Sequence, residues 1–345
     1  MVTQLQGLPG LQELINSVLK IITSRTFLEI VVFPGFLNVL LSAAFLTWLE
    51  RKVIARVQLR IGPLYAGMWG ILQPIADGIK LLFKEMILPE LADAKLLMLC
   101  ALGLMMLAAA PIVAIPFGEG LVIANMDVGL VFVFAVLSLF PSVVLLIGWG
   151  SNSKYSFLGG LRSLFQQVAY EIPMWLSVLG IVMLTGTLNL TEIVRAQQKV
   201  WFVIPQILGF AVFFTAALAE LERTPFDLPE AETELVMGWM TELSGAAFMV
   251  GFLAMYTKLY VMSALITTLF LGGWSGPLIV PEPLWVVLKT FLVAGVIVII
   301  RGTFPRVRVD ILLRTGWTRL LLLALANVFV TVIIIWLGFG WVWRV

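Results

Sequence analysis

Histidine is missing from the 345 residues, and cysteine occurs once, at Cys100. Without imidazole or a second thiol, the chain alone builds no His-ligated haem, no Cys/His zinc site, no four-thiolate iron–sulfur cluster and no internal disulfide. If electrons are involved, another polypeptide carries them. Charge is scarce as well. Only 12% of residues are Asp, Glu, Lys or Arg and the net charge is +2, so the overall balance offers nucleic acid no electrostatic footing. Neither a low-complexity linker nor an internal repeat divides the chain, which reads as one domain, 1–345. What is present is apolar: 61% of residues, with a mean hydropathy of +1.05. A water-soluble globule is about half apolar and about a quarter charged, so this is an integral membrane protein.

Helices cross a hydrocarbon core of about 30 Å with about 20 apolar residues, whereas a barrel would alternate polar and apolar positions. Continuous runs at 28–49, 95–115, 127–148, 164–188, 201–221, 246–274, 284–300 and 319–341 fit the helical case. The fold class is therefore all-α, with about eight membrane helices and amphipathic surface helices. Loops on one side, 50–94, 149–163, 222–245 and 301–318, hold Arg51, Lys52, Arg56, Arg60, Lys80, Lys84, Lys154, Arg162, Arg223, Arg301, Arg306, Arg308 and Arg314. The other side with both termini holds Lys20, Arg25, Arg195, Lys199 and Arg344. Positive residues favour the cytoplasmic side, so these loops are expected inside and both ends outside. The first 27 residues lack a basic start and carry Glu13, which argues against a cleaved signal peptide. Residues 8–22 suit an amphipathic helix on the outer surface.

In the first inside loop, Gln73, Asp77, Lys80 and Lys84 fall on one helical stripe, and Ile75, Ile79, Leu82 and Met86 on another. That pattern predicts a helix lying along the membrane surface, for which plain interfacial anchoring is a sufficient role. The third loop is anomalous, because Glu220, Glu222, Asp227, Glu230, Glu232, Glu234 and Glu242 crowd together. Asp227-Leu228-Pro229-Glu230 fits a helix start with Asp227 as N-cap, which accounts for two of these acids. Crowded carboxylates raise one another's affinity for protons, as a proton path requires. Glu171, followed by Ile172-Pro173, Glu220, Lys258 and Lys289 lie within spans, where an ionisable group is costly and by default functional. Lys289 is near enough to a span end to snorkel; Lys258 is deeper and is expected to face a carboxylate. Cys100, the methionines and most tryptophans read as packing or interfacial residues. The last loop, Arg301-Gly302-Thr303-Phe304-Pro305-Arg306 with Arg308 and Asp310, suits docking of a partner subunit.

The run Glu220-Leu-Glu-Arg-Thr-Pro-Phe-Asp-Leu-Pro-Glu-Ala-Glu-Thr-Glu-Leu235, followed by Thr241-Glu242-Leu243-Ser244, closely resembles the signature of the H-type membrane subunit of proton-pumping NADH:quinone oxidoreductase, respiratory complex I. Supporting matches are Leu72-Gln-Pro-Ile-Ala-Asp-Gly-Ile-Lys80, Ser153-Lys-Tyr-Ser156, Tyr170-Glu171-Ile172-Pro173, Leu271-Gly-Gly-Trp274 and the arginine-rich last loop. They follow the family's order from Glu50 onward. The resemblance implies a multi-pass subunit of a prokaryotic cell membrane or thylakoid-like membrane, in contact with lipid. It would join hydrophilic iron–sulfur subunits to other membrane subunits and form part of a quinone cavity. No cofactor is expected on this chain alone. Arg51, Asp77, Gly78, Lys80, Arg223 and Phe226 fall where the cavity is expected. Glu50, Glu171, Glu220, Glu222, Asp227, Glu230, Glu232, Glu234 and Glu242 fall on the acidic path that would couple carrier reduction to proton translocation.

Three departures bear on the donor. Leu64-Tyr65 follow Gly62-Pro63 where many members have Asn-Arg, Ser138 stands where many have glutamate, and Trp239 replaces the usual tyrosine. Ser138 and the Tyr170-Glu171-Ile172-Pro173 string resemble relatives fed by ferredoxin or reduced deazaflavin, so NADH, ferredoxin and deazaflavin stay open as donors, and quinone and methanophenazine as carriers. Two rival readings remain at this point: the anchor of a related membrane-bound hydrogenase, and a stand-alone ion transporter built on Glu171 and Lys258.

Overall fold

The computed structural model describes residues 24–230, 232–277 and 280–338; the helix expected at 8–22 and the side chain of Glu232 lie outside the described residues. The elements, in order, are α1 (Arg25–Val31), α2 (Phe36–Val57), α3 (Gln73–Leu82), α4 (Ala94–Ala109), α5 (Gly129–Gly150), α6 (Lys154–Thr185), α7 (Leu190–Ala196), α8 (Ile207–Glu220), α9 (Glu232–Leu235), α10 (Gly245–Phe270), α11 (Glu282–Thr303), α12 (Val309–Arg314) and α13 (Leu321–Trp336). Among the described residues seven helical stretches are long and apolar enough to cross a membrane. The chain is an all-α, multi-pass membrane protein.

Three boundaries differ from the sequence expectation, each for a local reason. α6 starts at Lys154, inside the segment expected as a loop, because the extended Ser153 opens it and no proline intervenes before Pro173. The last span begins at Val309, since α12 passes through a π-helical stretch, Thr315–Leu320, directly into α13. α8 has only 14 residues, although a span was expected from 201. Pro205 disfavours helix in the residue before it, and 201–206 instead form turns anchored by Val203 N–H donating to the Phe270 carbonyl at 3.0 Å.

Lipid tails are as apolar as leucine, so helices join here through close packing and small residues rather than through the hydrophobic effect. The α5–α6 hairpin illustrates it. A Cβ added at Gly148 would lie 2.7 Å from the Ser156 carbonyl oxygen, and one at Gly160 would lie 3.0 Å from the Leu145 Cα. α10 is the central helix, continuously buried from Tyr256 to Phe270, with α2, α3, α4 and α11 against it; α6 organises α5, α8 and α13. Pro173 cannot donate to the Ala169 carbonyl, and Gly316 of the π-helical stretch approaches that freed carbonyl closely.

Candidate functional site

Glu50 and Arg51 are consecutive on α2, and the helical step of about 100° sends them to different sides. Arg51 reaches α3, where its Nη1 lies 2.5 Å from Asp77 Oδ2, while Gln73 Nε2 donates to Asp77 Oδ1 at 2.9 Å. Glu50 turns inward and is 3% exposed. Arg223 Nη1 donates to both of its oxygens at 2.7 Å, and Arg301 also donates to it. The buried pair is charge-assisted and doubly hydrogen-bonded, the geometry that a desolvated ion pair needs.

A cavity of about 610 Å³ lies among α2, α3 and the start of α10; Leu40, Ala44, Ile75, Leu81 and Leu253 give it an apolar lining, and Arg51, Asp77, Gly78 and Lys80 supply polar ground. A second cavity, about 210 Å³, is walled by Glu50, Arg223, Glu230, Tyr256 and Arg301. Phe248 and Phe252 line both. With Tyr256 they form a row at four-residue spacing on α10, with ring centroids 6.0 and 4.9 Å apart. The Arg223 guanidinium closes the row, 4.6 Å from the Tyr256 centroid. An apolar chamber and a charged one thus share aromatic rings as a common wall.

Beyond the second cavity the acids sit in separate settings. Glu222, buried and in the left-handed region at φ 52°, accepts from Ser163 Oγ and, at 2.8 Å, from Gln167 Nε2. Gln166 Nε2 ties the loop together by donating to the carbonyls of Ala219 and Phe226 at 2.8 and 2.7 Å. Glu220 Oε1 lies 2.8 Å from Lys258 Nζ, with both side chains buried, and the ammonium rests 4.0 Å from the Phe140 ring centroid. Glu171 interacts electrostatically with both Lys258 and Glu220. Lys258 is thus in ion-pair contact with Glu220, and Glu171 is within electrostatic reach of both.

A family model described as NADH dehydrogenase matches residues 30–332. The H-type subunit of NADH-quinone oxidoreductase from Dehalococcoides mccartyi (strain CBDB1) is 46% identical over 302 residues, covering 88% of this chain and 84% of that one. The corresponding protein of Rhodospirillum centenum is 46% identical over 299 residues (85% and 89%), and that of Bacillus cytotoxicus 44% over 321 (90% and 96%). The chain belongs to the H-type subunit family of NADH-quinone oxidoreductase. Its relatives are subunits of a multisubunit oxidoreductase, complex I, which agrees with a chain that has no redox ligands of its own.

In this member of the family several residues sit differently from the sequence reading. No helix starts at Asp227: residues 221–230 are turns and irregular chain, Asp227 is half-buried, and the next helix, α9, begins at Glu232. The arginine loop packs against the acidic loop: Val307 N–H donates to the Pro225 carbonyl at 2.9 Å and Thr224 Oγ1 to the Arg301 carbonyl at 3.3 Å. Arg301 is committed to Glu50, and Arg306 lies 3.2 Å from Glu234, which also meets Arg162 at 2.5 Å. Hydrogen bonding from Arg162, helped by Arg306, holds the Glu234 carboxyl below its ordinary range. Arg308 and Asp310 remain exposed. Phe226 lines neither cavity; it packs on Tyr170, centroids 5.5 Å apart. Glu242 is half-buried between Met240 and α10. Ser138 spends its hydroxyl on the Ala135 carbonyl at 3.0 Å. Lys289 does not snorkel. Its ammonium donates to the carbonyls of Leu271, Gly273 and Ser275 at 2.8, 2.9 and 2.7 Å, 4.5 Å from the Trp201 ring centroid.

Sequence reasoning passed over Ser163, Gln166 and Gln167, although adjacent amides within an apolar span are costly unless they have partners. It also passed over Phe248, Phe252 and Tyr256, whose spacing puts them on one helix face.

Proposed function

We propose that this chain is the membrane subunit of a complex I-like, proton-translocating oxidoreductase, and that its two joined cavities receive a lipid-soluble quinone or methanophenazine. The isoprenoid tail occupies the apolar chamber between α2, α3 and α10, and the head group passes along Phe248 and Phe252 toward Glu50, Arg223 and Arg301. Electrons come from iron–sulfur clusters of partner subunits; this chain contributes the cavity wall and the acids. The loops that bear these groups face inside and both termini outside.

The observation that carries this reading is that an apolar cavity of about 610 Å³ and a smaller charged one of about 210 Å³ adjoin, with Phe248 and Phe252 lining both. Reduction brings up to two charges and two protons to the charged end. Two unit charges about 4 Å apart interact by about 4 kcal/mol at an effective dielectric of about 20, enough to bias a protonation equilibrium about a thousandfold. The carboxylates at Glu50, Glu222, Glu220 and Glu171 lead away from that end, in settings able to register the change without covalent chemistry by this chain.

Phe252→Trp, which narrows the shared wall, tests the reading in the assembled complex. Carrier reduction is expected to fall at least about tenfold, while electron transfer from the donor to a water-soluble acceptor is unchanged. Normal carrier reduction in a stably assembled variant refutes the cavity assignment. Glu171→Gln and Asp227→Asn test the coupling: proton translocation is expected to fall, and normal rates in both would count against the acidic relay.

A further inference from the structure

On another flank of α2 the structure holds a site that the carrier cavity does not use. Trp48, Lys52 and Arg56 recur every four residues and so share one helical stripe, with Arg60 one step past the helix end. Beside them lies a groove of about 610 Å³ whose wall also includes Val53, Val57, Trp69 and Ile299, and none of its residues lines the cavity between α2, α3 and α10. A hollow of about 310 Å³ adjoins it through Lys52, Arg56 and Trp69 and adds Arg60. Trp69 holds a left-handed conformation at φ 59°, unusual for a bulky residue, and Trp48 Nε1 donates to its carbonyl at 3.1 Å. That turn lays an exposed indole across the groove.

The chemistry is that of an amphiphile with a negative head. Among the described residues neither Lys52 nor Arg56 has a carboxylate in ion-pair contact, and no acid lines the groove or the hollow. Basic residues beside an indole at the end of a span mark the level of the head groups. We infer that this groove binds an anionic phospholipid, its phosphate on Lys52, Arg56 and Arg60 and an acyl chain along Val53, Val57 and Ile299. A helix of another subunit is the rival occupant of the apolar groove, which the adducts below distinguish.

The test uses the assembled complex in nanodiscs of equimolar phosphatidylcholine and phosphatidylglycerol. A photo-activated benzophenone side chain replaces Val53, and adducts on its peptide are read by mass spectrometry. Phosphatidylglycerol adducts are expected to exceed phosphatidylcholine adducts severalfold. Each cation contributes up to roughly fivefold, so Lys52→Gln with Arg56→Gln is expected to reduce the preference to what Arg60 alone sustains, about fivefold or less. Lys52→Arg with Arg56→Lys keeps it. A second measurement needs no charge variant: raising the phosphatidylglycerol fraction should saturate its adducts at a low mole fraction. Adducts in proportion to lipid abundance, adducts to a protein chain or to a second copy, or no adduct at all would each overturn the inference.

Discussion

Removing Lys258 exposes how the deepest acid is held. The Lys258 ammonium lies 2.8 Å from Glu220 Oε1, and the two side chains are 3% and 4% exposed. At that separation their attraction is about 6 kcal/mol at an effective dielectric of about 20, from which desolvation of the two ions takes back several kcal/mol. A buried ion pair can therefore be nearly neutral in net terms while the loss of one partner is not. Lys258→Met strands Glu220 in an apolar surround and is expected to cost about 3–5 kcal/mol, with the contact to Phe140 lost as well. Lys258→Met combined with Glu220→Met removes both charges, and stability is expected to return to within about 1 kcal/mol of the parent. The assay is thermal survival of the assembled complex, followed by native electrophoresis, with proton uptake measured in proteoliposomes. The double variant should assemble and fail to couple. Equal damage in single and double variants would refute the ion-pair reasoning, and full coupling in the double variant would remove Glu220 from the relay.

Further outcomes follow from the surrounding geometry. Glu234, held below its ordinary range first by the hydrogen bond from Arg162, contributes its tether fully above about pH 4.3 and loses it on further acidification. The pair is exposed, so about 1 kcal/mol or less is involved. Hydrogen exchange in 234–240, corrected for intrinsic rate, should hold steady from pH 8 to 5 and rise below about pH 4; a rise between pH 7 and 6 contradicts this. Lys289→Met leaves three carbonyls without their donor and should destabilise by about 3 kcal/mol or more, read as faster exchange at 271–276. Unaltered exchange there would show that Lys289 caps nothing. Gly238 has φ 56°, and a Cβ there would lie 1.6 Å from the Pro229 carbonyl oxygen. Gly238→Ala should therefore displace the acidic loop and abolish carrier reduction; a parent-like rate would refute that packing.

The long spans were legible because a continuous apolar run has one helical solution in lipid, and the surface helix α3 because its stripes repeat at helical spacing. Asp227 misled because Asp-Leu-Pro-Glu is a valid helix start by local chemistry. What overrode it was tertiary: Gln166 and the arginine loop hold the chain just before it by bonding the Phe226 and Pro225 carbonyls. Lys289 misled for a related reason, since snorkelling assumes water as the only solvent for an ammonium, and here three carbonyls replace it. The pairing of Lys258 with Glu220, and the commitment of Arg301 to Glu50, depend on residues far apart in sequence that nothing in local spacing reports.

α8 is short for a span. Its 14 residues rise about 21 Å, some 9 Å less than the hydrocarbon thickness of about 30 Å. Irregular chain has to make up the difference, which a bilayer tolerates only where protein surrounds it. Irregular chain flanks it at 201–206 and again after Glu220, where Glu220 and Glu222 are shielded from bulk water by their own neighbours. A bilayer of different thickness changes the mismatch that this short helix and its irregular flanks must absorb, so the efficiency of coupling should vary with acyl-chain length even where the carrier is reduced at an unchanged rate.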